Sequence, residues 1–164
     1  MALVAAVSVP SATSAVNDVY IQRFDAQWSG GGSVRFSLTG SPWSVDCALK
    51  PALSPNQVNL SGLCRLSLLY ILSKSIDATL KYDPASRNYS GTYSVDGGPP
   101  AILSGKRSGN DLTLDVRWPI LVNGHTNAII KIVNDGHRFT MTTIDPIGIS
   151  GKAVTTSDLA FNAN

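Results

Sequence analysis

Apolar and polar side chains alternate along most of this chain. In DLTLDVRW, Leu112, Leu114, Val116 and Trp118 share one face while Asp111, Thr113, Asp115 and Arg117 share the other, the period-two pattern of a half-buried antiparallel strand. IDATLKY repeats it, with Ile76, Ala78, Leu80 and Tyr82 opposite Asp77, Thr79 and Lys81. Comparable segments recur from Phe24 to Phe161 and are separated by turn signals. Gly30-Gly31-Gly32 divides FDAQWS from SVRFSL, and Ser54-Pro55-Asn56-Gln57 divides WSVDCAL from VNLSGLC. Asp83 to Asn88 divides IDATLKY from YSGTYSV, Ser108-Gly109-Asn110 divides AILSGKR from DLTLDVRW, and Asn134 to His137 divides NAIIKIV from RFTMTTI; TTSDLAF closes the chain. The spacing predicts ten or eleven strands in sequential hairpins. LSLLYILSKS, residues 66–75, reads equally as a strand or as a short helix across a barrel end, because an apolar run has no period of its own.

Hairpin-short connections, and the lack of a sustained 3.6-residue period, disfavour parallel βαβ units. A long antiparallel meander must close or shield its edges, and closure removes them. The fold class predicted is therefore all-β: an antiparallel up-and-down barrel of about eight to ten strands, with a two-sheet sandwich as the alternative. No internal repeat or linker divides the chain, so residues 16–164 are read as one barrel domain.

Residues 1–15, MALVAAVSVPSATSA, are apolar and then small, with no charge before Asp18. They read as the remnant of a signal peptide or as a disordered tail, and on the first reading the protein is periplasmic or secreted. No later run approaches the roughly 20 apolar residues that span a bilayer as a helix, so no membrane span is expected. A net charge of +2 with 15% charged residues, mixed in sign along the sequence, gives no basic stripe to recruit nucleic acid or an anionic membrane.

Two cysteines are present, in WSVDCALKPALSPNQVNLSGLCRL. If Ser54 to Gln57 is the turn of a hairpin, Leu53 faces Val58, Leu49 faces Gly62 and Cys47 faces Cys64. Directly opposed residues stand roughly 4.5–5.5 Å apart at Cα, within reach of a disulfide. Two buried free thiols are the alternative, and Pro51 bears on the choice because a proline inside a strand can force a bulge and shift the register. A metal site lacks further ligands, since His125 and His137 sit in distant turns, and nothing local would activate a catalytic thiol.

Catalytic signatures such as GxSxG, a phosphate loop or HExxH do not occur, and no catalytic residue, metal ligand or cofactor is assigned. Asp111, Asp115 and Arg117 are read as a solvated outer wall; facing a lumen, they would instead be acid/base candidates. Asn59 and Asn88 head glycosylation sequons, which matter only on a eukaryotic secretory route. Trp28, Phe36, Trp43, Tyr82, Tyr93, Trp118 and Phe139 fall on strands. Core packing accounts for such a set, and so does a lumen holding one small apolar molecule. Trp28, Trp43, Trp118 and Phe139 are the candidate ligand-binding residues.

FDAQWSGGGSVRFSL, with a tryptophan on the first strand of a hairpin meander, resembles the calycin superfamily of lipocalin-like barrels. Ala26 stands where that family carries the glycine of its Gly-x-Trp. YDPASRNYSGTY, LSGKRSGNDLTLDVRWP, VNGHTNAIIKIVNDG and TTSDL, spanning Tyr82 to Leu159, also resemble a group of exported proteins of soil alphaproteobacteria to which no activity is attached. That likeness implies the periplasm or the exterior. Cys47 and Cys64 are similar in placement to the early disulfide of the small calycin inhibitors of secreted metalloproteases, which insert a free N-terminal tail into the protease; VNDVYIQRF would be that tail here. The function expected is an exported non-enzymatic protein holding a small apolar ligand in a barrel lumen. The alternative is a periplasmic protein-interaction module such as a protease inhibitor, and an enzyme working through polar lumen groups is a third reading.

Overall fold

The computed structural model describes residues 17–35, 40–67 and 72–164. One short helix, α1 (Val19–Gln22), precedes ten strands: β1 (Trp28–Val34), β2 (Trp43–Ser54), β3 (Gln57–Leu66), β4 (Ser73–Asp83), β5 (Asn88–Val95), β6 (Ala101–Ser108), β7 (Asp111–Val122), β8 (His125–Asn134), β9 (Arg138–Ile147) and β10 (Lys152–Ala163). Each strand pairs antiparallel with its sequence neighbours, and β1 pairs with β10 from Trp28–Ala163 to Val34–Ser157, so the sheet is a closed up-and-down barrel. The alternation in the sequence sorts inside from outside. Leu112, Leu114 and Val116 of β7 are buried, and Asp111, Asp115 and Arg117 are exposed on the outer wall.

One local reading is corrected and two open points are placed. Gly30-Gly31-Gly32 is the middle of β1, not a hairpin turn, and Phe24 to Gln27 precede that strand. The reason is close backbone approach: a Cβ on Gly30 would lie 1.9 Å from the Ala160 carbonyl of β10, and one on Gly31 would lie 2.0 Å from the Val45 carbonyl of β2. Glycine here admits the neighbouring strands rather than reversing the chain. Pro51 forces no bulge, for β2 and β3 stay in register from Val45–Leu66 to Ser54–Gln57. The 4.0 Å Cα separation of Cys47 and Cys64 marks a non-hydrogen-bonded pair. Pro51, four residues on, is then also non-bonded toward β3 and would direct its missing N–H to the other side, where β1 has already ended opposite Leu49. Finally, the ambiguous 66–75 segment contributes strand ends to β3 and β4, its residues 68–71 lying outside the described part, as do Phe36 and residues 1–15.

The barrel's two ends differ. At one, here the floor, lie the β2–β3, β4–β5, β6–β7 and β8–β9 turns together with α1. The β5–β6, β7–β8 and β9–β10 connections form the opposite end, the mouth, with the ends of β1 to β4 beside them. Eight strands are about the number whose side chains can fill a barrel, so ten leave an interior that needs extra filling. At the floor the chain supplies it, with Tyr20, Ile21 and Phe24 buried beneath Trp28, Phe139 and Phe161.

Candidate functional site

The floor is built around Asp18. Its carboxylate caps α1 by accepting the Ile21 N–H at 2.8 Å, the role for which aspartate is preferred at a helix start. The Tyr89 hydroxyl lies 3.1 Å from both oxygens of that carboxylate, and it accepts a hydrogen bond from Arg107 Nε at 2.9 Å. The Arg107 guanidinium also sits 5.3 Å from the centre of the Tyr20 ring. Burial pushes the Tyr89 hydroxyl up to about 12, with Arg107 opposing the rise and the Asp18 carboxylate adding to it, and the hydrogen bond to Tyr89 raises Arg107 above its ordinary value. Tyr20 is raised further by burial and by Tyr89, and it donates to the Ile132 carbonyl. Edge-on contacts join Tyr20 to Phe24, Phe24 to Phe139 and Trp28 to Phe139, while Phe139 stacks on Phe161 at 4.5 Å. VNDVYIQRF is thus no free tail: from Asp18 to Phe24 it is the barrel's plug, and the tail-insertion idea fails on that burial.

Above the plug the interior opens. A cavity of about 80 Å³ occupies the centre, walled by apolar side chains such as Leu49, Val58, Leu80, Leu103, Leu114 and Ile130. A second, of about 410 Å³, lies toward the mouth between Val34, Trp43, Leu66, Leu72, Tyr93 and Val95. Cys64, Ile76, Tyr93, Met141 and Leu159 line both, so the two are consecutive parts of one lumen. Its wall carries the disulfide: Cys47 and Cys64 are bonded across β2 and β3 in the predicted register. Lys74, at the lumen-facing register position beyond Ile76, borders the mouth and is ion-paired with Asp96. Tyr93 is pushed up to about 12 by burial.

One polar cluster stands in the wall near the mouth. The buried Asp145 accepts from Trp118 Nε1 at 3.0 Å and from the Thr156 hydroxyl, and Ser157 donates to the Thr143 hydroxyl at 2.8 Å. Thr156 is the extra residue of a bulge between β9 and β10. The cluster therefore pins an irregularity in the sheet, with its polar groups engaged by one another. His125 bonds the Gly148 carbonyl and ties two mouth loops together. Among the described residues no group of three His, Cys, Asp or Glu could hold a metal.

The four candidate ligand residues take four different positions. Trp43 lines the mouth, and Phe139 forms the base of the central cavity. Trp28 lies below that cavity, its indole N–H held by the Phe24 carbonyl at 3.1 Å, and Trp118 is held in the wall by Asp145. Met141, Leu159 and Ile76, which join the two cavities, were not singled out from the sequence. The signal for Met141 was there in RFTMTTI, two residues beyond Phe139 on the same face.

No helix among the described residues is long and apolar enough to cross a membrane. No protein-family model matches the chain, and no curated protein matches it. Among solved structures it is similar to Rv2717c from M. tuberculosis, at 12% identity and a TM-score of 0.68, covering 90% of this chain and 99% of that one. At this identity the likeness establishes the architecture alone, an antiparallel β-barrel.

Proposed function

We propose that this protein is an exported, non-enzymatic binding protein, periplasmic or secreted, that holds a small apolar molecule in its lumen. The observation that carries the reading is the continuous apolar interior above the plug, about 80 Å³ at the centre and about 410 Å³ toward the mouth. The volume toward the mouth falls in the range of small-molecule sites, and a hollow core forfeits packing that the chain achieves fully at its floor. A disulfide is characteristic of oxidising compartments, which supports export. The non-enzymatic part is supported by the wall cluster around Asp145, whose polar groups bond one another, and by Asp111, Asp115 and Arg117 facing outward.

The test is binding of N-phenyl-1-naphthylamine, an apolar dye that brightens when it leaves water. The wild-type protein should bind it, and Ala78→Phe, which pushes a ring into the central cavity, should weaken binding about tenfold or more while keeping the strand circular dichroism signal. Absence of binding by the wild type, or equal binding by a folded Ala78→Phe, would overturn the proposal. Native mass spectrometry of protein from its own host should show a retained small molecule.

A further inference from the structure

The two barrel ends differ in surface as well as in filling. The floor turns are Ser54 to Gln57, Asp83 to Asn88, Ser108 to Asn110 and Asn134 to His137, and none presents a large exposed apolar side chain; at this end Val19 of α1 and Val133 of β8 are exposed, by 70% and 41%. Around the mouth, Trp43, Leu72, Val95, Ile120, Leu121 and Ile149 are all exposed, Ile149 entirely and Ile120 and Leu121 by 64% and 69%. They come from the start of β2, the approach to β4, the end of β5, the tip of the β7–β8 hairpin and the β9–β10 loop. Trp43, Leu72 and Val95 belong to both the rim and the mouth cavity, so the exposed apolar ring runs directly into the lumen wall.

Cations gather at the same end. Arg35, Arg65, Lys74 and Lys152 lie at the mouth, with the exposed carboxylates Asp96 and Asp46, the latter directly across from Arg65 and bonded by the Ser67 hydroxyl, and with the buried Asp145. Four cations thus stand against two exposed carboxylates at this end. The sequence shows no basic stripe because these residues are far apart along the chain; closing the barrel gathers them. An apolar ring set among cations is suited to a layer of anionic headgroups over hydrocarbon. A soluble partner protein would need a matching acidic rim around an apolar centre.

We propose that the mouth rim docks on the surface of an anionic lipid bilayer, so that the lumen opens against the membrane and takes its ligand from it. The docking stands on the rim alone; the statement about the ligand rests on the lumen reading above. Flotation with extruded vesicles tests it. The wild-type protein should float with phosphatidylcholine vesicles containing phosphatidylglycerol, less with phosphatidylcholine alone, and less as sodium chloride is raised. The triple variant Ile120→Ser, Leu121→Ser, Ile149→Ser changes side chains already in water, so it should keep the fold and its N-phenyl-1-naphthylamine binding while losing about tenfold or more in vesicle binding. The proposal is overturned if the wild type floats with neither vesicle, or if the folded triple variant floats as well as the wild type. Light scattering that shows a dimer dissolved by the triple variant, with no flotation, would assign the rim to a second copy and overturn it too. Flotation without dye binding supports the docking and removes the lumen reading alone.

Discussion

Replacing Tyr89 by phenylalanine removes one oxygen from the floor and leaves its ring contacts to Tyr20 and Tyr82 in place. That oxygen accepts from Arg107 Nε and donates to the Asp18 carboxylate, so two hydrogen bonds to charged groups disappear together. Such bonds contribute about 1.5–3 kcal/mol each, and a buried ion that loses one is left poorly solvated. Asp18 retains the Ile21 N–H, and Arg107 retains the Gly109 carbonyl at 2.7 Å, which limits the loss. The expected cost is about 3 kcal/mol, or a fall in Tm of roughly 6–12 °C for a domain of this size. The control is Tyr93→Phe. The Tyr93 hydroxyl is also shielded from water, but it makes no hydrogen bond to any described residue, so its removal should change stability by less than about 0.5 kcal/mol. Urea titration followed by circular dichroism measures both variants. If Tyr89→Phe is as benign as Tyr93→Phe, the floor network does not hold the plug and the account of α1 fails.

Replacing both Cys47 and Cys64 by alanine should cost about 3 kcal/mol by the loop-closure argument for a bridge of separation 17, and dithiothreitol should lower the Tm of the wild type but not of the variant. Two thiols alkylated without prior reduction, in protein made in an oxidising compartment, would contradict the bond. Tyr89 and Tyr93 have folded-state values of about 12 against an ordinary 10, so their protonated forms are the ones the fold favours. Stability is therefore unaffected below about pH 10 and falls as the pH climbs to about 12, by on the order of 2–3 kcal/mol for each. Tyrosinate absorbance from these rings should therefore rise together with alkaline unfolding, and a rise near pH 10 with the strand signal intact would contradict their burial. Gly31→Ala places a methyl 2.0 Å from the Val45 carbonyl and should cost at least about 3 kcal/mol or abolish soluble expression. A Gly31→Ala protein with the wild-type Tm would show that β1 can move away from β2.

Period-two alternation made the walls of this barrel legible before any coordinates. Leu112, Leu114 and Val116 could go only to one side, and hairpin-short connections left only antiparallel neighbours. Counting back from the Ser54 to Gln57 turn aligned Cys47 with Cys64 because that hairpin has no bulge. The glycine triplet misled because Gly-Gly-Gly carries the same local signal whether the chain reverses or another backbone passes close by; only the positions of β2 and β10 separate these cases. The plug was illegible for a similar reason. A four-residue helix has no period to detect, and the partners of Asp18 lie far along the sequence, with Tyr89 separated by 71 residues. Of the four aromatic residues taken as ligand candidates, all face inward from their strands, but height along the barrel axis decides what each one meets. Alternation gives the face and not the height, so Trp28 was indistinguishable in sequence from Trp43.

That missing coordinate is set by the N-terminal segment. Phe24 touches the central cavity while its carbonyl holds the Trp28 indole and its ring abuts Phe139, so the level at which the plug stops is the level at which the lumen begins. The plug's depth depends in turn on Asp18, which joins α1 to Tyr89 on β5 and, through Tyr89, to Arg107 on β6, while its N–H meets the Pro55 carbonyl in the β2–β3 turn. A change at Asp18 therefore alters the volume available above Phe24 without touching any residue that lines it. Phe24→Ala extends the argument: it should deepen the central cavity by the volume of a ring, destabilise the fold by about 3–5 kcal/mol, and let the lumen accept a longer apolar probe than the wild type does. If the variant folds and its preferred probe length is unchanged, the plug does not set the floor of the lumen, and the bottom must lie higher, at Phe139 and Phe161.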